Sequence, residues 1–194
     1  MAAGADLVAQ PSAWVRRFAP LIPQGEVLDL ACGSGRHSRL LAGLGYRVCA
    51  LDRDVAVVSN LALPGINPLQ LDLENGTPWP FAPARFAGAV VTNYLHRPLF
   101  PLLLASIAPG GVLLYETFAC GNERYGKPSN PDFLLRPGEL LDIVCNQAAG
   151  NWRVVAFEDG YVDVPKPAMM QRICAIKADG TANSAIAMNF PGIF

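Results

Sequence analysis

The chain has 194 residues, 52% of them hydrophobic and 16% charged, with a net charge of −1. That balance suits one domain with a sizeable core, and it excludes a disordered chain and a broad basic surface for nucleic acid. Cys32, Cys49, Cys120, Cys145 and Cys174 are odd in number, widely spaced and form no Cys-x-x-Cys. They speak against a disulfide framework or a metal site and for a reducing, cytoplasmic setting. Met1 to Gln10 carries Asp6 and no basic run, so no secretory signal is expected. No apolar run reaches the roughly 18 residues of a membrane helix.

In chain order, Ser12 is placed to cap a helix whose apolar face is Trp14, Val15 and Phe18, ended by Pro20 and Pro23. A strand over Glu26 to Leu30, a helix over Gly35 to Gly43, a strand over Tyr46 to Leu51, a helix over Asp54 to Ala62 and a strand over Ile66 to Leu71 follow. Pro78 to Pro83 reads as a rigid loop. Phe86 to Thr92 is nearly continuous in apolar residues, as in a strand buried on both faces. A helix over Pro98 to Ile107 leads through Pro109-Gly110-Gly111 into a strand over Val112 to Thr117.

The segment Phe118 to Pro137 is long, irregular and rich in Gly, Asn, Pro and charge. A helix over Pro137 to Gln147 and strands over Trp152 to Glu158 and Met170 to Ala178 complete the pattern. Asp159 to Pro167 is too short for a crossover helix, so the last strand is expected to be antiparallel. The expected fold is α/β: a Rossmann-like, doubly wound, seven-stranded and mostly parallel sheet. The domain spans residues 1–178, with a weakly patterned tail over 179–194.

The densest signal is Val27-Leu28-Asp29-Leu30-Ala31-Cys32-Gly33-Ser34-Gly35-Arg36-His37-Ser38. It reads as a strand, a glycine turn and a helix start, whose free N–H groups suit a polar ligand. In a dinucleotide site those groups face pyrophosphate. Here Ser38 replaces the third glycine of Gly-x-Gly-x-x-Gly, and Asp29 adds negative charge where pyrophosphate would sit. A ligand with an ammonium and a sulfonium suits the acidic group better. Asp52, closing the second strand, is placed for a ribose.

These residues resemble the first motif of the class I S-adenosylmethionine-dependent methyltransferases, in the form LDLACGSGRHS. The similarity continues through Ala50 to Asp54, Leu71 to Glu74, Phe86 to Asn93 and Ile107 to Leu113, covering about residues 24 to 118. Within the class the chain is most similar to the small bacterial tellurite-resistance type. The resemblance implies S-adenosyl-L-methionine as cofactor. Asp29, Ala31, Gly33 and Gly35 would line its methionine end, and Asp52 would accept from the ribose hydroxyls. Arg53 would flank the adenine, Asp72 would accept from the adenine amine beside the Leu73 backbone, and Asn93 would sit near the methyl group.

On the acceptor side, His96 and Tyr94 are the candidate catalytic residues. His96 is either a base or a cap for the next helix; Tyr94 either contacts substrate or cofactor, or packs. His37 meets the cofactor carboxylate or local backbone. Arg97, Arg124 and Lys127 make either an anion site or scattered loop charge. Asn93-Tyr94-Leu95-His96 lacks the prolines common in nucleic-acid amino-methyltransferases. Trp79, Phe81 and Phe100 read as core before they read as a base platform. The leading expectation is a methyltransferase with a small-molecule acceptor and no nucleic-acid or membrane partner. The alternatives are an RNA or protein methyltransferase, a non-catalytic cofactor-binding module, and a nicotinamide-dependent oxidoreductase.

Overall fold

Alternating side chains along a central sheet divide the interior into two cores. The computed structural model describes residues 10–60, 63–146 and 151–179. Seven strands form one sheet: β1 (Glu26–Leu30), β2 (Arg47–Asp52), β3 (Ile66–Gln70), β4 (Phe86–Thr92), β5 (Ile107–Phe118), β6 (Trp152–Val162) and β7 (Ala168–Lys177). Their spatial order is β3-β2-β1-β4-β5-β7-β6. β1 to β5 run parallel, and β7 is antiparallel to both β5 and β6. The expected antiparallel last strand is therefore present, inserted between its neighbours.

Val27, Val48, Val90 and Leu114 face one core, under α1 (Ala13–Phe18) and α2 (Arg36–Gly43). Leu28, Val91, Leu113 and Ile173 face the other, under α4 (Phe100–Ser106) and α5 (Glu139–Asn146). This two-sided burial explains the uninterrupted apolar run of β4. Ser12 caps α1 as expected, its hydroxyl accepting from the N–H of Trp14 at 3.1 Å. Lys177 crosses the second core, and its ammonium donates to the carbonyls of Leu104 and Ile107 at 2.9 and 2.7 Å. It satisfies acceptors that the end of α4 leaves open.

Four elements differ clearly from expectation. α3 (Ala56–Ser59) is shorter than the Asp54 to Ala62 helix. Asp54 stays outside and accepts from the Ala56 N–H at 3.1 Å, while Leu61 and Ala62 lie outside the described residues. β5 begins at Ile107 rather than Val112: Ile107 pairs with Phe86 and Val112 with Gly88, so Pro109-Gly110-Gly111 forms a bulge within the strand. Gly110, at φ +77°, supplies the bend. β6 and β7 are longer than expected and leave only residues 163–167 as their turn. Of the tail expected over 179–194, only Asp179 lies among the described residues.

The strand order reverses between β1 and β4, and crevices form at the carboxyl ends of strands at such a switch point. On the far side of β4, Gly88 keeps the β4–β5 seam tight beneath Ile22. A Cβ there would meet Ile22 Cγ2 at 2.8 Å and the Val112 carbonyl oxygen at 3.0 Å. Gly88→Ala is expected to cost about 1–3 kcal/mol of unfolding free energy through overpacking. Urea denaturation measures it, and an unchanged midpoint would contradict the tight seam.

Candidate functional site

A cleft of about 580 Å³ opens at the carboxyl ends of β1 to β4. That volume lies within the ~300–1,000 Å³ of small-molecule sites. Its walls are the exits of β1 (Leu30 to Ser34, and Arg36), β2 (Leu51 to Arg53), the segment after β3 (Leu71 to Glu74), the exit of β4 (Thr92 to Tyr94) and Phe133. Sequence reading therefore brought together Ala31, Gly33, Asp52, Arg53, Asp72, Leu73, Asn93 and Tyr94. It did not single out Arg36, Glu74, Thr92 or Phe133.

The floor is the turn after β1. Ala31, Gly33 and Gly35 have φ of +56°, +52° and +72°. For an alanine that left-handed conformation costs roughly 1–2 kcal/mol. The turn is held by the Cys32 N–H donating to the Leu51 carbonyl at 3.0 Å and the Gly35 N–H donating to the Cys32 carbonyl at 2.9 Å. The Gly33 N–H donates to Asp52 Oδ2 at 2.8 Å, while Asp52 Oδ1 accepts from the Asp54 N–H at 3.1 Å.

The two glycines serve different ends. A Cβ on Gly33 would meet nothing within 4 Å, so its bare backbone faces open space. A Cβ on Gly35 would meet Val58 Cγ2 at 2.9 Å, and Gly35 does not line the cleft. Its role in this structure is close packing of α2 on α3. Cys32, 5% exposed, lines the cleft; burial, with Asp29 and Asp52 nearby, pushes its thiol well above the usual range.

Asp29 lies beneath the turn rather than in the cleft. It is 1% exposed and accepts a 2.5 Å hydrogen bond from the Ser38 hydroxyl. Burial raises its carboxyl to about 7. The negative charge against a pyrophosphate therefore comes chiefly from Asp52, Asp72 and Glu74, which do line the cleft.

His37 corrects the expectation of a cofactor contact. The ring is 1% exposed, and Nε2 accepts from the Ser12 N–H at 3.1 Å. Nδ1 therefore carries the proton and donates to Thr92 Oγ1 at 3.3 Å. Burial depresses its pKa to about 3, so the ring is neutral and ties α1 to α2 and β4.

His96 also stands outside the cleft lining. It is extended, at φ −135°, and heads the 3₁₀ turn Arg97–Leu99, its carbonyl accepting from the Leu99 N–H at 3.1 Å. It holds the N-cap position through its backbone, and its side chain makes no capping hydrogen bond.

Tyr94 lines the cleft, and its carbonyl accepts from the buried Tyr115 hydroxyl at 2.8 Å. Burial, and Glu74 accepting from its hydroxyl, hold the Tyr94 phenol far above its usual pKa. It is a donor at neutral pH and not a base. Asn93, at φ +55°, donates its N–H to the Glu116 carbonyl at 2.9 Å. Asp72 Oδ1 accepts from the Glu74 N–H at 2.9 Å, an Asx turn that shapes the wall around Leu73.

Of the two readings of Arg97, Arg124 and Lys127, the anion site does not form at the cleft. None of the three lines it, and Arg97 is committed to Glu139 at 2.7 Å. Arg36 does line the cleft and makes no hydrogen bond or salt bridge with the described residues. Trp79 and Phe81 pack in the core with Phe86, and Phe100 packs with Tyr115.

Comparison with known proteins bears on this geometry. Residues 10–68 match the family model described as tellurite resistance protein TehB. A trans-aconitate 2-methyltransferase of Methylobacterium nodulans is 33% identical over 118 residues, 58% of this chain and 45% of the relative. A protein-L-isoaspartate O-methyltransferase of Chlorobaculum tepidum is 34% identical over 110 residues, 53% of this chain and 49% of the relative. The chain thus spans about half the length of these curated relatives. An S-adenosylmethionine-dependent methyltransferase from Mesorhizobium loti superposes with a TM-score of 0.66 at 17% identity, over 84% of this chain and 95% of that one. TehB from Haemophilus influenzae superposes at 0.64 and 20% identity, over 84% and 61%. The chain thus has the fold of the class I S-adenosylmethionine-dependent methyltransferases.

The superposed Mesorhizobium loti protein is named for S-adenosylmethionine, and the cleft of this chain fits that ligand. Gly33 offers uncovered backbone, and three carboxylates against two guanidiniums suit a cationic ligand better than a pyrophosphate. No helix among the described residues is long and apolar enough to cross a membrane.

The environment of Asp29 has a measurable signature. Its folded pKa of about 7 lies above the usual 3.8, so the fold favours the protonated acid. That contribution is complete below about pH 4 and is lost as pH rises through about 7. Asp29→Asn is therefore expected to gain stability relative to wild type, by up to a few kcal/mol, between those limits. Urea midpoints across that range test it; a pH-independent difference would remove the assignment.

Proposed function

We propose that the protein transfers a methyl group from S-adenosyl-L-methionine to a small-molecule acceptor by in-line displacement. The observation that carries this reading is the open Gly33 backbone beside Asp52, in a cleft rich in carboxylates at the sheet's switch point. Ala31 and Gly33 line the methionine end of the ligand, with Asp29 acting from beneath through the turn and Gly35 through packing. The free acceptor lone pairs of Asp52 take the ribose hydroxyls. Arg53 flanks the adenine, Asp72 accepts from its amine beside the Leu73 backbone, and Asn93 borders the methyl group.

The cofactor, when bound, supplies a methyl group on a sulfonium that is already an activated leaving group. The chain's task is alignment and exclusion of water. A base is needed only for an acceptor that arrives protonated. Tyr94 is held protonated and His96 stands off the cleft, which suits an acceptor that arrives as an anion. Arg36, a cleft cation with no salt bridge among the described residues, supports the same choice and also suits the cofactor's carboxylate. The relatives named for trans-aconitate support a small acceptor. A cytoplasmic setting accords with five unpaired cysteines. Residues 1–178 form the catalytic domain, with 179–194 as an appended tail.

Calorimetry with S-adenosylmethionine, S-adenosylhomocysteine and NAD tests the cofactor. The first two are expected to bind, and binding of NAD alone would overturn the reading. Asp52→Ala is expected to abolish S-adenosylhomocysteine binding, since it removes both the ribose acceptor and the brace on Gly33. Unchanged affinity would remove the ribose assignment.

A further inference from the structure

One wall of the cleft comes from far along the chain. Among the described residues Phe133 is the single lining residue outside the four strand exits, and it is 51% exposed. Its neighbours Leu134 and Leu135 are 2% and 0% exposed. A phenyl ring left in water beside buried leucines forfeits the burial they gain, unless a ligand covers it.

The backbone on either side of this ring is pinned. Arg97 Nη1 donates to the Asp132 carbonyl at 2.7 Å, and Nη2 donates to the Leu134 carbonyl at 2.9 Å. The same guanidinium forks onto Glu139, with Nε on Oε1 at 2.7 Å and Nη2 on Oε2 at 3.0 Å. Glu139 is 4% exposed and also accepts the Arg136 N–H at 2.8 Å. Asn130 Oδ1 takes the Asp132 N–H at 3.1 Å and caps the 3₁₀ turn Pro131–Phe133. The ring is thus presented from a fixed backbone, so little ordering remains to be done when a ligand meets it.

The side of the cleft follows from packing. Leu73 belongs to the same core cluster as Leu135, on one face of the sheet, and Leu71 and Tyr94 pack against that cluster. Asp72, assigned above to the purine amine, stands between Leu71 and Leu73. The geometry points to Phe133 as a ligand-contact residue whose ring closes over the purine of the bound adenosyl ligand. Arg97 and Glu139 are its positioning residues. This inference rests on the cleft being an adenosyl site.

Calorimetry with S-adenosylhomocysteine and with adenosine, on the full chain, tests it. Phe133→Ala is expected to weaken both ligands roughly tenfold, the scale of an aromatic–base stack. Phe133→Tyr is expected to restore the affinity. The unliganded melting temperature of Phe133→Ala should stay at the wild-type value, because the side chain is half exposed. Arg97→Lys is expected to weaken both ligands in the wild-type background and to add no further loss to Phe133→Ala, as for a residue acting through that ring. Wild type that binds neither ligand would overturn the adenosyl reading and this inference together. Wild type that binds, with Phe133→Ala binding equally tightly, would overturn this inference alone. An additive Arg97→Lys effect would remove the positioning role.

Discussion

The hydrogen bond from the Gly33 N–H to the Asp52 carboxylate fixes the relation between the first two strand exits. Neither residue alone makes a site. Gly33 brings a backbone with no side chain above it, and Asp52 brings a charge at the tip of β2. Bonded at 2.8 Å, they form one rigid corner, and the strained Ala31 is held between them and the Leu51 carbonyl. Strain of this kind persists only where surrounding contacts over-determine it. Here those contacts are the parallel pairing of β1 with β2 and the turn's own hydrogen bonds.

Around that corner the buried polar residues of the β1–β4 seam act as fasteners. His37 is spent on Ser12 and Thr92, and Ser38 on Asp29. Each brings a polar group out of water and pairs it, as a low-dielectric interior requires. Their cumulative effect is to seat α1 over α2 and the sheet, leaving only the cleft side of the turn open.

The elements set by local pattern were legible in the sequence. β1 and β4 carry their expected bounds, because their apolar runs are bracketed by Pro, Gly or charge. The glycine turn was legible because Gly33 and Gly35 need left-handed backbone. What could not be read depends on contacts distant along the chain. Arg97 looks like a loop cation until Glu139 and the carbonyls around Phe133 close on it. His37 sits two residues from Gly35, and only the fold shows its ring turned inward toward Ser12 and Thr92. Phe133 has no motif around it, and it reaches the cleft through distant contacts: the clamp from Arg97 and the burial of Leu134 and Leu135. The bulge in β5 was missed because Pro109-Gly110-Gly111 reads locally as a turn, whereas Ile107 had already joined the ladder opposite Phe86.

Cys32 lends the cleft one further property. Sulfur is the most readily alkylated atom a protein offers, and it stands here in the wall of a site proposed to hold an alkylating agent. A thiol attacks as its thiolate. Burial and two neighbouring carboxylates keep this one in the unreactive form. A cysteine kept as its thiol is a poor rival to the acceptor for the methyl group, so the cleft wall can carry sulfur beside such a reagent.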